Sequence, residues 1–218
     1  MAQLFRPGAD SIARCVLIAI AVAPLVYLAV TYAVVLSPEV TGQNITITQP
    51  VPFSHEHHVG GLGLDCRFCH TGVESSAVAG LPATETCMTC HSQIWTQAEM
   101  LAPVRASFEH GVPLRWERID RLPDYVYFDH SIHVAKGVGC TTCHGAVNEM
   151  PLMRQSAPLT MAWCLDCHRD PAPSLRPNEA IFSTSWTPPA DQRDRGKTLL
   201  SENGIDVAHL ADCSVCHR

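Results

Sequence analysis

Ten cysteines of this chain stand in five pairs, and every pair reads Cys-x-x-Cys-His. They are Cys66-Cys69-His70, Cys87-Cys90-His91, Cys140-Cys143-His144, Cys164-Cys167-His168 and Cys213-Cys216-His217. Two thiols three positions apart with an imidazole next door suit the attachment of a c-type haem. The thiols add to the porphyrin vinyl groups as thioethers, and the imidazole lies under the iron as its proximal ligand. His makes up only 12 of 218 residues, yet one follows each pair. A structural zinc needs four ligands and uses such pairs in twos. Disulfides leave the His unexplained, and a thioredoxin-like motif occurs once per domain. The motifs predict five covalently bound haem c groups, and no catalytic residue beside them.

Six-coordinate iron requires a second axial ligand. Seven His lie outside the motifs: His55, His57, His58, His110, His130, His133 and His209. Two His-x-x-His pairs, His55/His58 and His130/His133, precede the first haem motif of each half. At i, i+3 their members share a helix face, so each pair can serve two irons. His57 has Ile132 as its counterpart and reads as surface. For the fifth iron the best candidate is His110. His209, four residues before Cys213, is awkwardly placed, and Met150, Met153 or Met161 could supply a thioether instead.

The elements that position these ligands form an internal repeat. Phe53-Ser54-His55-Glu56-His57-His58 followed by motifs at Cys66 and Cys87 is echoed by Phe128-Asp129-His130-Ser131-Ile132-His133 followed by motifs at Cys140 and Cys164. The offsets are 75, 74 and 77 residues, which implies a duplicated two-haem module. The expected organisation is an anchor over 1–36, a linker over 37–54 and module 1 over 55–108. A bridge over 109–129, module 2 over 130–175 and a tail over 176–218 carrying the fifth haem complete it. Short helices are expected around Thr84–Met100, Met161–Arg169 and Asp191–Glu202, with little strand. The Pro-rich run from about 171 is expected to be extended up to Cys213.

Aromatics are 6% and charged residues 17%, thin material for a side-chain core. About 182 residues for five haems leaves the porphyrins themselves as the core. The fold class expected is therefore a mostly irregular and α-helical multihaem cytochrome c. Trp95, Trp116, Trp163 and Trp186 are expected to pack on porphyrin edges. A net charge of −6 without a basic run argues against nucleic acid. Cys15 to Leu36 is uncharged for 22 residues, enough for about 33 Å of helix. Arg6 and Arg14 precede it and Glu39 follows, so the positive-inside rule places the N-terminus in the cytoplasm and the haem domain in the periplasm. The run exceeds a signal-peptide core, and no small-x-small site precedes Ser37-Pro38, so an uncleaved single-pass anchor is expected. Cys15, the odd cysteine, reads as apolar filler at the edge of the span.

The string Phe53 to Gly60 leading to Cys66-Arg67-Phe68-Cys69-His70 resembles the membrane-anchored pentahaem subunits of alternative complex III. So do Tyr127 to His133 leading to Gly139-Cys140-Thr141-Thr142-Cys143-His144, and Trp163-Cys164-Leu165-Asp166-Cys167-His168-Arg169. The modules also resemble the cytochrome c3/c7 group, in which a His-x-x-His supplies distal ligands. The first resemblance implies an electron relay in a respiratory complex. Iron–sulfur and integral-membrane quinol-oxidising subunits would be its partners, and a soluble cytochrome or copper protein its acceptor. A self-sufficient quinol dehydrogenase of the NapC/NirT kind is the competing expectation. A multihaem nitrite reductase is disfavoured, because no Cys-x-x-Cys-Lys motif occurs.

Overall fold

The computed structural model describes residues 8–217 and divides into two compact units, one ending at Gly42 and one beginning at Gln43. Arg6, one of the cations flanking the apolar run, lies outside the described residues. In the first unit α1 spans Ala9–Val35 and none of its residues is buried. It is 27 residues long with a mean hydropathy of 2.3, so it is long and apolar enough to cross a membrane. Pro24 lies within it. The single turn α2, Pro38–Thr41, ends at Gly42, whose φ of 75° is the left-handed cap that favours glycine.

The second unit is built from short helices joined by turns. The haem motifs occupy α3 (Cys66–Cys69), α4 (Thr84–His91), α7 (Cys140–His144), α8 (Met161–Arg169) and α10 (Cys213–Cys216). Between them lie α5 (Ala102–His110), α6 (His130–Ala135) and α9 (Gln192–Glu202). Among the described residues there is no strand, only isolated bridges such as Val126 with His217. The expected helix at Met161–Arg169 is observed, capped by the Thr160 hydroxyl on the Trp163 amide. The one expected over Thr84–Met100 stops at His91, and the chain then turns through Trp95, held at a φ of 54°.

The Pro-rich tail differs from expectation. It is not extended: Ala172–Ser174 and Asn178–Ala180 form 3₁₀ turns, and α9 packs back on the first of them. A proline's fixed φ suits the first turn of a helix as well as an extended chain, and Pro173 sits in the first turn of Ala172–Ser174. Leu175, 1% exposed, and Ala172, Ala180 and Ile181 from this tail are among ten buried apolar side chains of the described residues. Another part of the protein core is a small cluster of Val51, Leu101 and Val104, joined by Leu114 and Trp116. Trp116 therefore packs on aliphatic side chains.

The two halves of the repeat dock reciprocally. The amides of His130 and Ser131 donate to the carbonyls of Ala77 and Ser76, in the loop after the first haem motif. In the other direction the Glu56 amide donates to the Met150 carbonyl, after the third motif, and the π-helical segment Glu56–Gly61 packs on Val147–Glu149. Gly60 meets the Asn148 carbonyl so closely that a Cβ would overlap it. Gly60→Ala is therefore expected to cost about 1–3 kcal/mol by overpacking. A lower urea midpoint, followed in the Soret band of the purified protein, checks this; an unchanged midpoint would mean the docking is not close-packed.

Candidate haem-ligating site

A histidine that binds iron through Nε2 needs its other nitrogen protonated and tied to an acceptor, which sets the tautomer and the ring orientation. The chain supplies that acceptor repeatedly from its backbone. His70 Nδ1 donates to the Gly80 carbonyl at 2.7 Å, His91 to Ile94 at 3.3 Å and His168 to Leu210 at 2.8 Å. His217 donates to the Tyr125 carbonyl at 3.2 Å. A carbonyl only accepts, so in each case the proton is on Nδ1 and the Nε2 lone pair is left free. The expected distal residues behave alike. His58 donates to Ser54 at 2.8 Å, His133 to Asp129 at 2.7 Å and His130 to Ala77 at 2.8 Å.

These rings are brought together in pairs. His58 faces His91 with ring centroids 6.3 Å apart, His130 faces His144 at 6.4 Å, and His133 faces His168 at 6.1 Å. Two imidazoles on opposite sides of one iron, with metal–nitrogen bonds of about 2.0 Å, have centroids about 6.3 Å apart. The residues present therefore fit a haem iron between each pair. On α6, His130 and His133 lie beside two different motif histidines. Phe128 stacks on His133 and Phe53 on His58, at 4.4 and 4.3 Å, so the repeat extends to the packing behind each ring.

Two histidines depart from the pattern. Burial, then His70, His58 and His144, push His55 down to about 4, and its buried Nδ1 has no partner. The neutral ring is the form a metal binds. His144 Nδ1 lies 2.9 Å from the Asp120 carboxylate, buried and off hydrogen-bond alignment. Burial likewise lowers His58 and His133.

The fifth motif is less complete. His110 is exposed at the end of α5, and His209 is exposed with Nδ1 3.1 Å from Asp212. Among the described residues neither ring is paired with His217. Met150 is 2% exposed and Met161 69% exposed. His57 is exposed, as expected, but stacks on Trp95 at 5.6 Å. Trp186 lies against the Arg176 guanidinium at 4.4 Å.

Burial pushes Cys143 up to about 12 and raises Cys69, Cys87, Cys164 and Cys167, whereas the neighbouring Cys140 side chain lowers Cys66 to about 7. The raised groups favour the uncharged sulfur over a thiolate. Among the described residues no three of His, Cys, Asp and Glu gather as a metal site. Apolar side chains beside the motifs, including Leu62, Phe68, Ile94 and Met161, are exposed and offer the surface a porphyrin plane covers.

Nearly strandless architecture, thiol pairs and opposed imidazoles define a multihaem c-type cytochrome. Residues 126–218 match the family of cytochrome c7 and related cytochromes c. The multihaem cytochrome c subunit of menaquinone reductase from Nitratidesulfovibrio vulgaris is 30% identical over 177 residues, covering 78% of this chain and 77% of that protein. The chain belongs to this family of multihaem c-type cytochromes.

His130→Ala is expected to turn one low-spin haem high-spin in the purified protein, read in the electronic and EPR spectra. His110→Ala separates the candidates for the fifth iron: a second high-spin centre would identify His110 as its ligand, and unchanged spectra would remove it.

Proposed function

We propose that the chain carries five covalently bound haem c groups and relays electrons through them within a quinol-oxidising membrane complex of the alternative complex III kind, toward a periplasmic cytochrome or copper protein. The observation that carries this reading is the set of three opposed imidazole pairs. Iron saturated by two His offers no open position for a substrate, so such a centre gains and loses electrons and does little else. Cys66, Cys69, Cys87, Cys90, Cys140, Cys143, Cys164, Cys167, Cys213 and Cys216 would hold the haems. His70, His91, His144, His168 and His217 would be proximal ligands, with His55, His58, His130, His133 and His110 distal. The haem supplies the one-electron chemistry when bound. The protein orients the rings, excludes water and sets potentials.

The neighbours of each motif support an order along the relay. His58 and His55 lie on one segment, which ties the second motif to the first. The reciprocal docking brings the first motif against the third, where the side chains of Cys66 and Cys140 are neighbours. His130 and His133 on α6 join the third to the fourth. His168 leans on Leu210, three residues before the fifth. We read the path as second, first, third, fourth, fifth, with the second and fifth haems as its ends.

The exposed, apolar α1 supports a membrane anchor, with the N-terminus cytoplasmic and the haem domain periplasmic. The likeness to a menaquinone reductase subunit supports partners that handle a quinone in the same membrane. The iron–sulfur and quinol-oxidising subunits of one complex are the partners proposed. A relay conducts in either direction, and the potentials of donor and acceptor decide which.

Two measurements test this. Pyridine haemochromogen analysis with intact mass is expected to give five haems per chain, and four after Cys213→Ala with Cys216→Ala. Menaquinol added to the purified chain in detergent is expected to leave its haems oxidised, with reduction restored by the membrane partners. Rapid reduction of the lone chain would place a quinol site beside the anchor, and the NapC-like reading would replace the relay.

A further inference from the structure

Arg176 is 5% exposed, and among the described residues no carboxylate lies within ion-pairing distance of it. Arginine is almost never buried without an anionic partner, because removing its charge from water is costly. Here the guanidinium is held by neutral groups. Nη1 donates to the Ala180 and Ser183 carbonyls at 3.5 and 3.2 Å, and Nη2 donates to the hydroxyls of Thr141 and Thr142 at 2.6 and 3.4 Å. Nε is buried and has no partner. Trp186 covers the face of the group at 4.4 Å.

Thr141 and Thr142 are the two residues between Cys140 and Cys143. The cation is therefore fastened to the loop that would bind the third haem. Gly139, just before that loop, is where the Arg176 side chain passes, so closely that any Cβ there would overlap it. The backbone amide of Arg176 donates to Gly137 at 2.8 Å, holding the approach from the other side. Gly139 and two threonines thus accommodate one charge. Its burial lies within the polypeptide, so haem attachment would not hydrate it.

We propose that Arg176 is a fixed internal cation that raises the reduction potential of the haem carried by Cys140, Cys143 and His144, making that central haem a preferred resting place for an electron in the relay. The inference rests on the relay reading above. Reduction delivers one electron from a neighbouring haem to this one, with no bond made and no proton required, so the charge of the site falls by one. A nearby positive charge screened by little water favours that change. Asp120, beside His144, acts in the opposite sense, but it is partly exposed and water weakens it. Arg176 is a positioning and tuning residue here, since it touches the attachment loop and not the reacting iron.

The test is an EPR-monitored redox titration of the haem-loaded full chain. The ring planes of His130 and His144 are 2° apart, against 66° for His58 and His91 and 37° for His133 and His168, so the third haem should give a distinct low-spin signal. Arg176→Gln is expected to lower the potential of that haem alone, so that its reduced-to-oxidised ratio at a fixed potential falls about tenfold, or about 59 mV. Arg176→Lys, which keeps the charge, should leave it near the parent value. If Arg176→Gln does not fold, Thr141→Asp sets a carboxylate against the guanidinium and should give the same fall. An unmoved third haem in Arg176→Gln, or an equal fall in Arg176→Lys, would overturn the assignment, because hydrogen bonding and not charge would then be at work. Haem content is measured first: free thiols at Cys140 and Cys143 in the parent chain would overturn the relay reading, and the proposal with it.

Discussion

An imidazole has two nitrogens, and this fold depends on which of them is free. Wherever a backbone carbonyl accepts from Nδ1, the proton is placed and Nε2 is left as a lone pair with a fixed direction. The acceptors come from turns, from the ends of short helices and from loops far along the chain, as with Ala77 for His130 and Leu210 for His168. A long uninterrupted helix would consume those carbonyls in its own ladder. Short elements leave them available, which is one physical reason that an irregular chain suits this architecture. The same bonds hold the rings in opposed pairs, so that ligand geometry and chain path are one arrangement.

A second consequence follows from the thin protein core. Ten buried apolar residues in a unit of this length bury little surface, and most apolar side chains near the haem motifs stay exposed. Hydrophobic stabilisation scales with the area removed from water. Covalently attached porphyrins would supply the missing apolar area, and thioether bonds would keep them in place. The closest packing of the polypeptide itself is in the tail, at Leu175 and Ile181, and around the buried Arg176.

Duplication has done more than double the number of ligands. The two His-x-x-His segments do not simply serve separate modules side by side. Each docks on the loop after the first haem motif of the other half, and Gly60 allows the close approach on one of those two contacts. The first and third motifs meet at this exchange.

The candidate haem motifs are legible in the residues alone, because thioether attachment needs two thiols and an imidazole in one short string. Such local chemistry leaves a local signature. The short helix at Met161–Arg169 and the near absence of strand were legible for the same reason, as was the apolar run that forms α1. The assignment of His58, His130 and His133 as distal ligands rests on the repeat; the structure sets their rings beside those of His91, His144 and His168. The path of the Pro-rich tail was misread, because proline restricts φ without choosing between an extended chain and a 3₁₀ turn, and only packing against α9 decided. The reciprocal docking, the distant carbonyls behind Nδ1 of His130, His168 and His217, and the threonines that hold Arg176 were not legible at all. Each depends on residues dozens of positions apart meeting in space, and no spacing along the chain records such a meeting.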